Sequence, residues 1–165
     1  MGNRVAGKVA IVTGAGSSGL GMGNGKASAI LYAREGARVM VVDYNIKAAK
    51  ETERIIKEEG GDCIVFKADV SKSSDCKRMV EKCIEAFGRI DILHNNVGIV
   101  EVGGPVEISE GNWDRLLNVN LKSMFLTCKY ALPHMQKQRG GSIVNISSIS
   151  SIRHVGYSSA SYKED

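Results

Sequence analysis

Five short apolar, β-branched runs alternate with longer helical stretches along this chain, and few folds accept that order. Strands are expected near residues 8–13, 38–43, 62–67, 90–95 and 141–147, and helices near 25–35, 46–60, 72–87 and 112–138. Such repetition implies parallel strands joined by right-handed crossovers, with helices on both faces of one sheet. The segment Asn45 to Glu59 is amphipathic, offering Ile46, Ala49, Ile55 and Ile56 to that sheet, and Gly60-Gly61 stops it. Pro133 is expected to kink the last long helix or to end its regular part.

Between the first strand and the first helix lies Thr13-Gly14-Ala15-Gly16-Ser17-Ser18-Gly19-Leu20-Gly21-Met22-Gly23-Asn24-Gly25, which holds six of the chain's 19 glycines. Glycine lets the backbone turn through positive φ and lets a pyrophosphate approach with no Cβ in the way. The helix start behind it offers unpaired N–H groups and the positive end of a dipole. Taken alone, the loop is weak evidence and could instead be a flexible connector. Its setting argues for a ligand, because Asp43 closes the second strand eighteen residues after Gly25. The dinucleotide fingerprint places an acid about 20 residues on. That carboxylate would accept hydrogen bonds from ribose hydroxyls and repel a 2′-phosphate, which selects NAD over NADP. The other reading of Asp43 is a helix cap or turn residue. Arg38 could serve a 2′-phosphate, but it stands at the start of its strand, the wrong end. Loop and alternation together define an α/β fold: a Rossmann-type doubly wound parallel sheet, 165 residues long and of one domain.

In an open sheet of this kind, ligands sit beyond the carboxyl ends of the strands, where strand order reverses. Five segments are thereby expected around one crevice: the glycine loop, Asp43, Asp69-Val70, Asn95-Asn96-Val97-Gly98 and Ser147-Ser148. Asp69 could accept from an adenine amino group, with Val70 covering the ring; it could also cap the helix that begins near Ser71, and the two roles are compatible. Asn96 and Gly98 would let the backbone lie against a flat cofactor, or would close the strand in an Asx turn.

The net charge of +4 is modest, and its basic residues are interleaved with acids along helical segments such as Lys72 to Lys82. No basic stripe with aromatics argues for nucleic acid. No apolar run approaches the ~18 residues of a membrane span, and no secretory signal or myristoylation motif opens the chain. A cytoplasmic protein is expected. Cys63, Cys76, Cys83 and Cys128 show neither C-x-x-C spacing nor nearby histidines, so free buried thiols are expected rather than disulfides or a metal site. Asn145-Ile146-Ser147 matches a glycosylation acceptor by accident of composition, because it falls on an apolar strand.

The chain resembles the classical short-chain dehydrogenase/reductase family in Gly7-Lys8-Val9-Ala10-Ile11-Val12-Thr13-Gly14, Ala33-Arg34-Glu35-Gly36-Ala37, Asp69-Val70, Asn95-Asn96-Val97-Gly98, Asn118-Val119-Asn120 and Asn145-Ile146-Ser147-Ser148. The resemblance implies hydride transfer between NAD(H) and a small-molecule alcohol or carbonyl. It sets Gly14, Gly23 and Gly25 in the family's T-G-x-x-x-G-x-G loop, with roughly five residues inserted around Gly19-Leu20-Gly21. Ser17, Ser18 and Asn24 join the expected cofactor contacts with Asp43, Asp69, Val70, Asn96 and Gly98. Val97 stands where the family has alanine.

For catalysis the resemblance implies Asn120, Ser148 and Tyr162: the tyrosine as general acid/base, the serine holding the substrate oxygen, the asparagine fixing a lysine through water. Each residue also has a plain structural reading: Asn120 satisfying backbone in a helix, Ser148 capping a strand end, and Tyr157 standing as a rival to Tyr162. The family's lysine four residues after the tyrosine is not in this sequence, which ends Tyr162-Lys163-Glu164-Asp165. On a helix Lys163 would point about 100° away from Tyr162. The resemblance therefore implies a C-terminally truncated member that lacks the last strands and helices of the family fold, is inactive by itself, and leaves its fifth strand as an apolar edge. The alternative is a non-catalytic dinucleotide-binding or interaction protein derived from that family. A methyltransferase would share the glycine loop and the acid, but Asn95-Asn96-Val97-Gly98 and Asn118-Val119-Asn120 speak against it. Family members commonly pair through the long helix carrying Asn120, which makes a homo-oligomer through residues 112–138 the expected assembly.

Overall fold

The computed structural model describes residues 2–17, 19 and 21–148. In chain order the elements are β1 (Val9–Thr13), α1 (Asn24–Arg34), β2 (Arg38–Asp43), α2 (Ile46–Glu58), β3 (Cys63–Lys67), α3 (Ser73–Phe87), β4 (Ile92–Asn95), α4 (Glu110–Leu117), a π-helical turn (Asn118–Lys122), α5 (Ser123–Lys137) and β5 (Ser142–Asn145). All strand pairs are parallel and the sheet order is β3-β2-β1-β4-β5. The chain builds outward from β1 to β3, then crosses back to place β4 on the other side of β1. That reversal opens the crevice of a doubly wound sheet above β1 and β4.

The strands are continuously apolar because both faces are covered. Val9, Ala10, Ile11 and Val12 are all 0% exposed. Ala10 and Val12 face α1 and α2, packing with Ala29, Ile30, Ala49 and Ile56. Val9 and Ile11 face α3 and α5, packing with Met79, Val80, Ala131 and Met135. The period-two alternation of strand side chains thus supplies two cores from one run of residues. Asn45 caps α2 by accepting from the Lys47 and Ala48 N–H groups, and Gly88 ends α3 at φ 79°.

The expected helix over 112–138 is instead α4, the π turn and α5 in series. Pro133 does not end the helix, since α5 runs on to Lys137. Both ends of α5 are anchored: Thr127 donates to Asn95 on β4, and Gln138 just past the helix donates to the carbonyl of Ile90 at 2.5 Å. Burial of Ala131 and Met135 on either side of the proline adds to this. β5 ends the sheet among the described residues, with Ile143 and Val144 half-buried and Ser142 and Asn145 exposed. Cys63, Cys76, Cys83 and Cys128 are all unpaired. Burial pushes the Cys63 thiol up to about 11 and those of Cys76 and Cys83 up to about 12. No helix among the described residues is long and apolar enough to cross a membrane.

Two buried ionisable groups couple this sheet to pH. Asp91, 7% exposed at the amino end of β4, accepts from the Val9 N–H at 2.9 Å and from Arg89 at 2.8 and 2.6 Å. Burial pushes its carboxyl up, but the Arg89 and Val9 hydrogen bonds and the charges of Arg89 and Lys8 outweigh that and hold it below the usual carboxylate value. His94, in β4, meets the Tyr32 hydroxyl at Nδ1 (3.1 Å), while its buried Nε2 has no partner among the described residues. Burial alone lowers its pKa.

The signs place two windows. A depressed histidine stabilises the fold fully above its unfolded pKa, about 6.5, and that stabilisation is lost as pH falls toward the folded value. A depressed aspartate stabilises above about 3.9 and is lost as pH falls through its folded value. Urea melts should therefore show stability declining in two steps, one below pH 6.5 and one below pH 4. His94→Leu should flatten the first step, and Asp91→Asn should flatten the second while costing roughly 2 kcal/mol at pH 7. An unchanged profile in either variant would reject that residue as the source.

Candidate functional site

β1 delivers the chain to Gly14, which turns at φ 63°, in the left-handed region that glycine occupies without penalty. The corner is held from β4. The Asn96 N–H donates to Thr13 Oγ1 at 3.2 Å, and Asn96 Nδ2 donates to the Gly14 carbonyl at 3.2 Å. Gly25, in the first turn of α1, lies against the same corner: a Cβ there would stand 2.5 Å from Asn96 Nδ2 and collide with the Gly14 carbonyl. Gly25 therefore serves the approach of helix to strand, not an open approach of ligand to backbone. α1 begins after Gly23 with no side-chain cap and no acid in its first turn, where Lys26 stands instead. That N-terminus suits an anion, because both its orphan N–H groups and its dipole favour negative charge. Ser17 donates to the carbonyls of Gly21 (2.9 Å) and Gly19 (3.3 Å) within the glycine-rich stretch.

Asp43 ends β2 half-buried. One carboxylate oxygen accepts from the Gly16 N–H and the other from the Asn45 N–H, each at 2.8 Å. Asn45, and not Asp43, is the cap of α2. Asp43 ties the glycine loop to β2, and each of its oxygens retains a further lone pair for a ribose hydroxyl. Thr52 completes the tie by donating to the Ala15 carbonyl at 2.7 Å. Gly16 lies in the glycine loop expected to meet a ligand but is not among the individual contacts expected there, and nothing in the sequence marks Thr52.

Beyond β3, Asp69 accepts from the N–H and hydroxyl of Ser71 at 3.1 and 2.6 Å, an Asx-type turn. The reach back from α3 comes from Asp75, which accepts from the Asp69 N–H at 3.0 Å. Val70 is 5% exposed and packs with Cys76 and Leu126, so its side chain faces the core. Asn95 is buried as well: it donates to Asn145 Oδ1 and accepts from Thr127 Oγ1, both at 2.8 Å.

Asn120 sits in the π turn, a helix irregularity that recurs at functional sites. Its Oδ1 accepts from the Ile99 N–H at 2.8 Å, and its Nδ2 donates to the Ile99 carbonyl at 2.9 Å. The amide thus pairs with one residue of the loop after β4, in the manner of a strand bridge. Gly98 precedes that clamp, and a Cβ on it would lie 4.0 Å from Asn120 Oδ1. Glu101 in the same loop accepts from Asn112 of α4. Ser148 is half-buried just past β5, on the same carboxyl side of the sheet. Ser18 and Tyr162 lie outside the described residues. Arg38 is at the opposite end, donating to the Phe87 carbonyl at 3.3 Å with its guanidinium over the Phe87 ring. Among the described residues no group of three or more His, Cys, Asp or Glu side chains is placed to hold a metal.

The sequence and the fold are similar to those of known proteins. The short chain dehydrogenase family matches residues 8–162. An uncharacterised oxidoreductase of Thermotoga maritima is 46% identical over 86% of this chain and 54% of its own length. A 2,5-dichloro-2,5-cyclohexadiene-1,4-diol dehydrogenase of Sphingobium indicum is 40% identical over 90% of this chain and 58% of its own. A solved short-chain dehydrogenase/reductase structure from Burkholderia xenovorans superposes with a TM-score of 0.92 at 45% identity, covering 94% of this chain and 62% of that one. The chain belongs to the short-chain dehydrogenase/reductase family of oxidoreductases. It spans little more than half the length of these relatives.

The corner makes the glycines unequal. Gly25→Ala should displace α1 from β1, lower stability by about 1–3 kcal/mol and reduce dinucleotide affinity more than tenfold. Gly21→Ala meets no described atom within 4 Å and should leave both near wild type. Thermal melts and calorimetric titration of the two variants check this, and equal behaviour would overturn it.

Proposed function

We propose that this chain forms the cofactor-binding part of a cytoplasmic oxidoreductase that uses NAD in preference to NADP and acts on a small alcohol or carbonyl compound. The observation that carries the reading is the Gly14–Gly25–Asn96 corner, which holds an α1 N-terminus lacking a side-chain cap behind a glycine loop that Asp43 ties to β2 through the Gly16 N–H. These residues fit a dinucleotide: the α1 N-terminus for its pyrophosphate, Asp43 for its adenosine ribose, and Asp69 for its adenine amino group. When bound, the nicotinamide supplies the acceptor or donor of a hydride. Asn120 holds the Ile99 loop beside Gly98, where it bounds the space for a flat ring. By family resemblance Ser148 offers its hydroxyl to the substrate oxygen, and Tyr162 moves the proton at that oxygen. A tyrosine does so near neutrality only with a cation beside it, and the family's lysine is not among these 165 residues.

Calorimetric titration with NAD+, NADP+ and S-adenosylmethionine tests the reading. NAD+ should bind most tightly, and Asp43→Ala should weaken it about tenfold, the worth of charge-assisted hydrogen bonds. Binding of the methyl donor without NAD+ would reject the proposal.

A second copy of the chain is the proposed partner. Trp113, Leu117, Leu121 and Phe125 follow one another at four-residue intervals along α4, the π turn and α5, and are 41–63% exposed. Leu117, Leu121 and Phe125 line a groove of about 690 Å³ that also takes in Met124 and Cys128. Light scattering should show self-association that Leu121→Glu abolishes while NAD+ affinity is retained; a monomer at all concentrations would rule this partner out.

A further inference from the structure

A second charge stands one strand over from Asp43, at the carboxyl end of β3. Parallel register sets Lys67, the last residue of β3, opposite Asp43, so the two side chains leave the same face of the sheet. Lys67 makes no ion pair with Asp43 or any other carboxylate among the described residues. Its ammonium lies 5.8 Å from the centre of the Tyr44 ring, and Tyr44 is 69% exposed directly after Asp43. A cation over an aromatic face at that distance is held by the ring quadrupole. The charge is therefore stationed at the ribose end of the crevice and not swept through solvent. Lys47, exposed in the first turn of α2, and the positive end of the α2 dipole lie on the same side. The Asp43 carboxylate is itself partly neutralised by the N–H groups of Gly16 and Asn45.

We propose that Lys67, stationed by Tyr44, is a specificity determinant that admits a phosphomonoester on the ribose 2′ oxygen, so that Asp43 biases the site toward NAD without closing it to NADP. The inference rests on the reading of this crevice as a dinucleotide site. Asp43 alone would repel a 2′-phosphate, and its hydrogen bonds to ribose hydroxyls would be lost. Lys67 sits one strand over and supplies an ion-pair partner to that phosphate alone. NAD, which has only hydroxyls there, gains nothing from the ammonium. Lys67 thus acts on the ratio of the two affinities, and Tyr44 acts as a positioning residue through it.

Calorimetric titration of the whole chain with NAD+ and NADP+ at low salt tests this, with the ratio of the two dissociation constants as readout. In the wild type the ratio should favour NAD+ by about tenfold or less. Lys67→Gln should widen it about fivefold, the size of one exposed ion pair, with NAD+ affinity unchanged. Tyr44→Leu keeps the charge and removes its platform, so it should widen the ratio by a smaller factor, even where it weakens both nucleotides together. High salt should erase the Lys67 effect. Both positions are exposed, so melting temperatures should match the wild type. A ratio that Lys67→Gln leaves unchanged, or a wild type that binds NAD+ and refuses NADP+ altogether, would overturn the proposal. A wild type that binds neither nucleotide would instead remove the reading of the crevice, and this inference with it.

Discussion

The close approach of α1 to β1 is the constraint on which the rest of the crevice depends. Two glycines permit it, one by turning at positive φ and one by lacking a Cβ where a carbonyl and an amide already stand. Asn96 then joins the neighbouring strand to the same corner through its side chain and its backbone. β1, β4 and α1 are thus locked at the point where strand order reverses. Everything offered to a ligand, from the α1 N-terminus to the loop after β4, takes its position from that contact.

Asp43 and Asn120 repeat the same principle at longer range. Each binds backbone groups of a loop that would otherwise be free to move: Gly16 in one case, Ile99 in the other. A crevice walled by loops gains fixed walls when polar side chains from regular elements saturate the loop backbone. Both residues therefore shape the site before any contact with a ligand.

The alternation of apolar runs made the sheet legible, because strand period and helix period leave distinct traces in sequence. Every strand and the first three helices end within a few residues of their expected places, and the span expected as one helix over 112–138 is shared by α4, the π turn and α5. What stayed hidden was the use of individual side chains. Pro133 suggested a break, yet anchoring of α5 by Thr127 and Gln138 overrides the local preference. The π turn at Asn118–Lys122 has no sequence period of its own. The Asn96 side chain is committed to the Gly14 carbonyl, and the Val70 side chain, expected over a ring, packs with Cys76 and Leu126. Spacing shows where a residue falls on a strand, but partners chosen across 80 residues of chain are set only by packing.

One consequence lies at the sheet's edge. β5 has four residues, is half-exposed, and would gain little apolar burial by choosing one alignment over another. Its alignment with β4 is fixed by an amide instead. Asn145 stands opposite Asn95 and accepts from it at 2.8 Å, while Thr127 satisfies the other end of Asn95. Sliding β5 by one residue would put Val144 or Ile146 against a buried donor and leave it only the weak Cys128 sulfur, 3.9 Å away, as acceptor, a penalty of about 1–3 kcal/mol. The outermost strand is thus aligned by polar identity, and its pairing can be exact where its hydrophobic pattern is nearly indifferent.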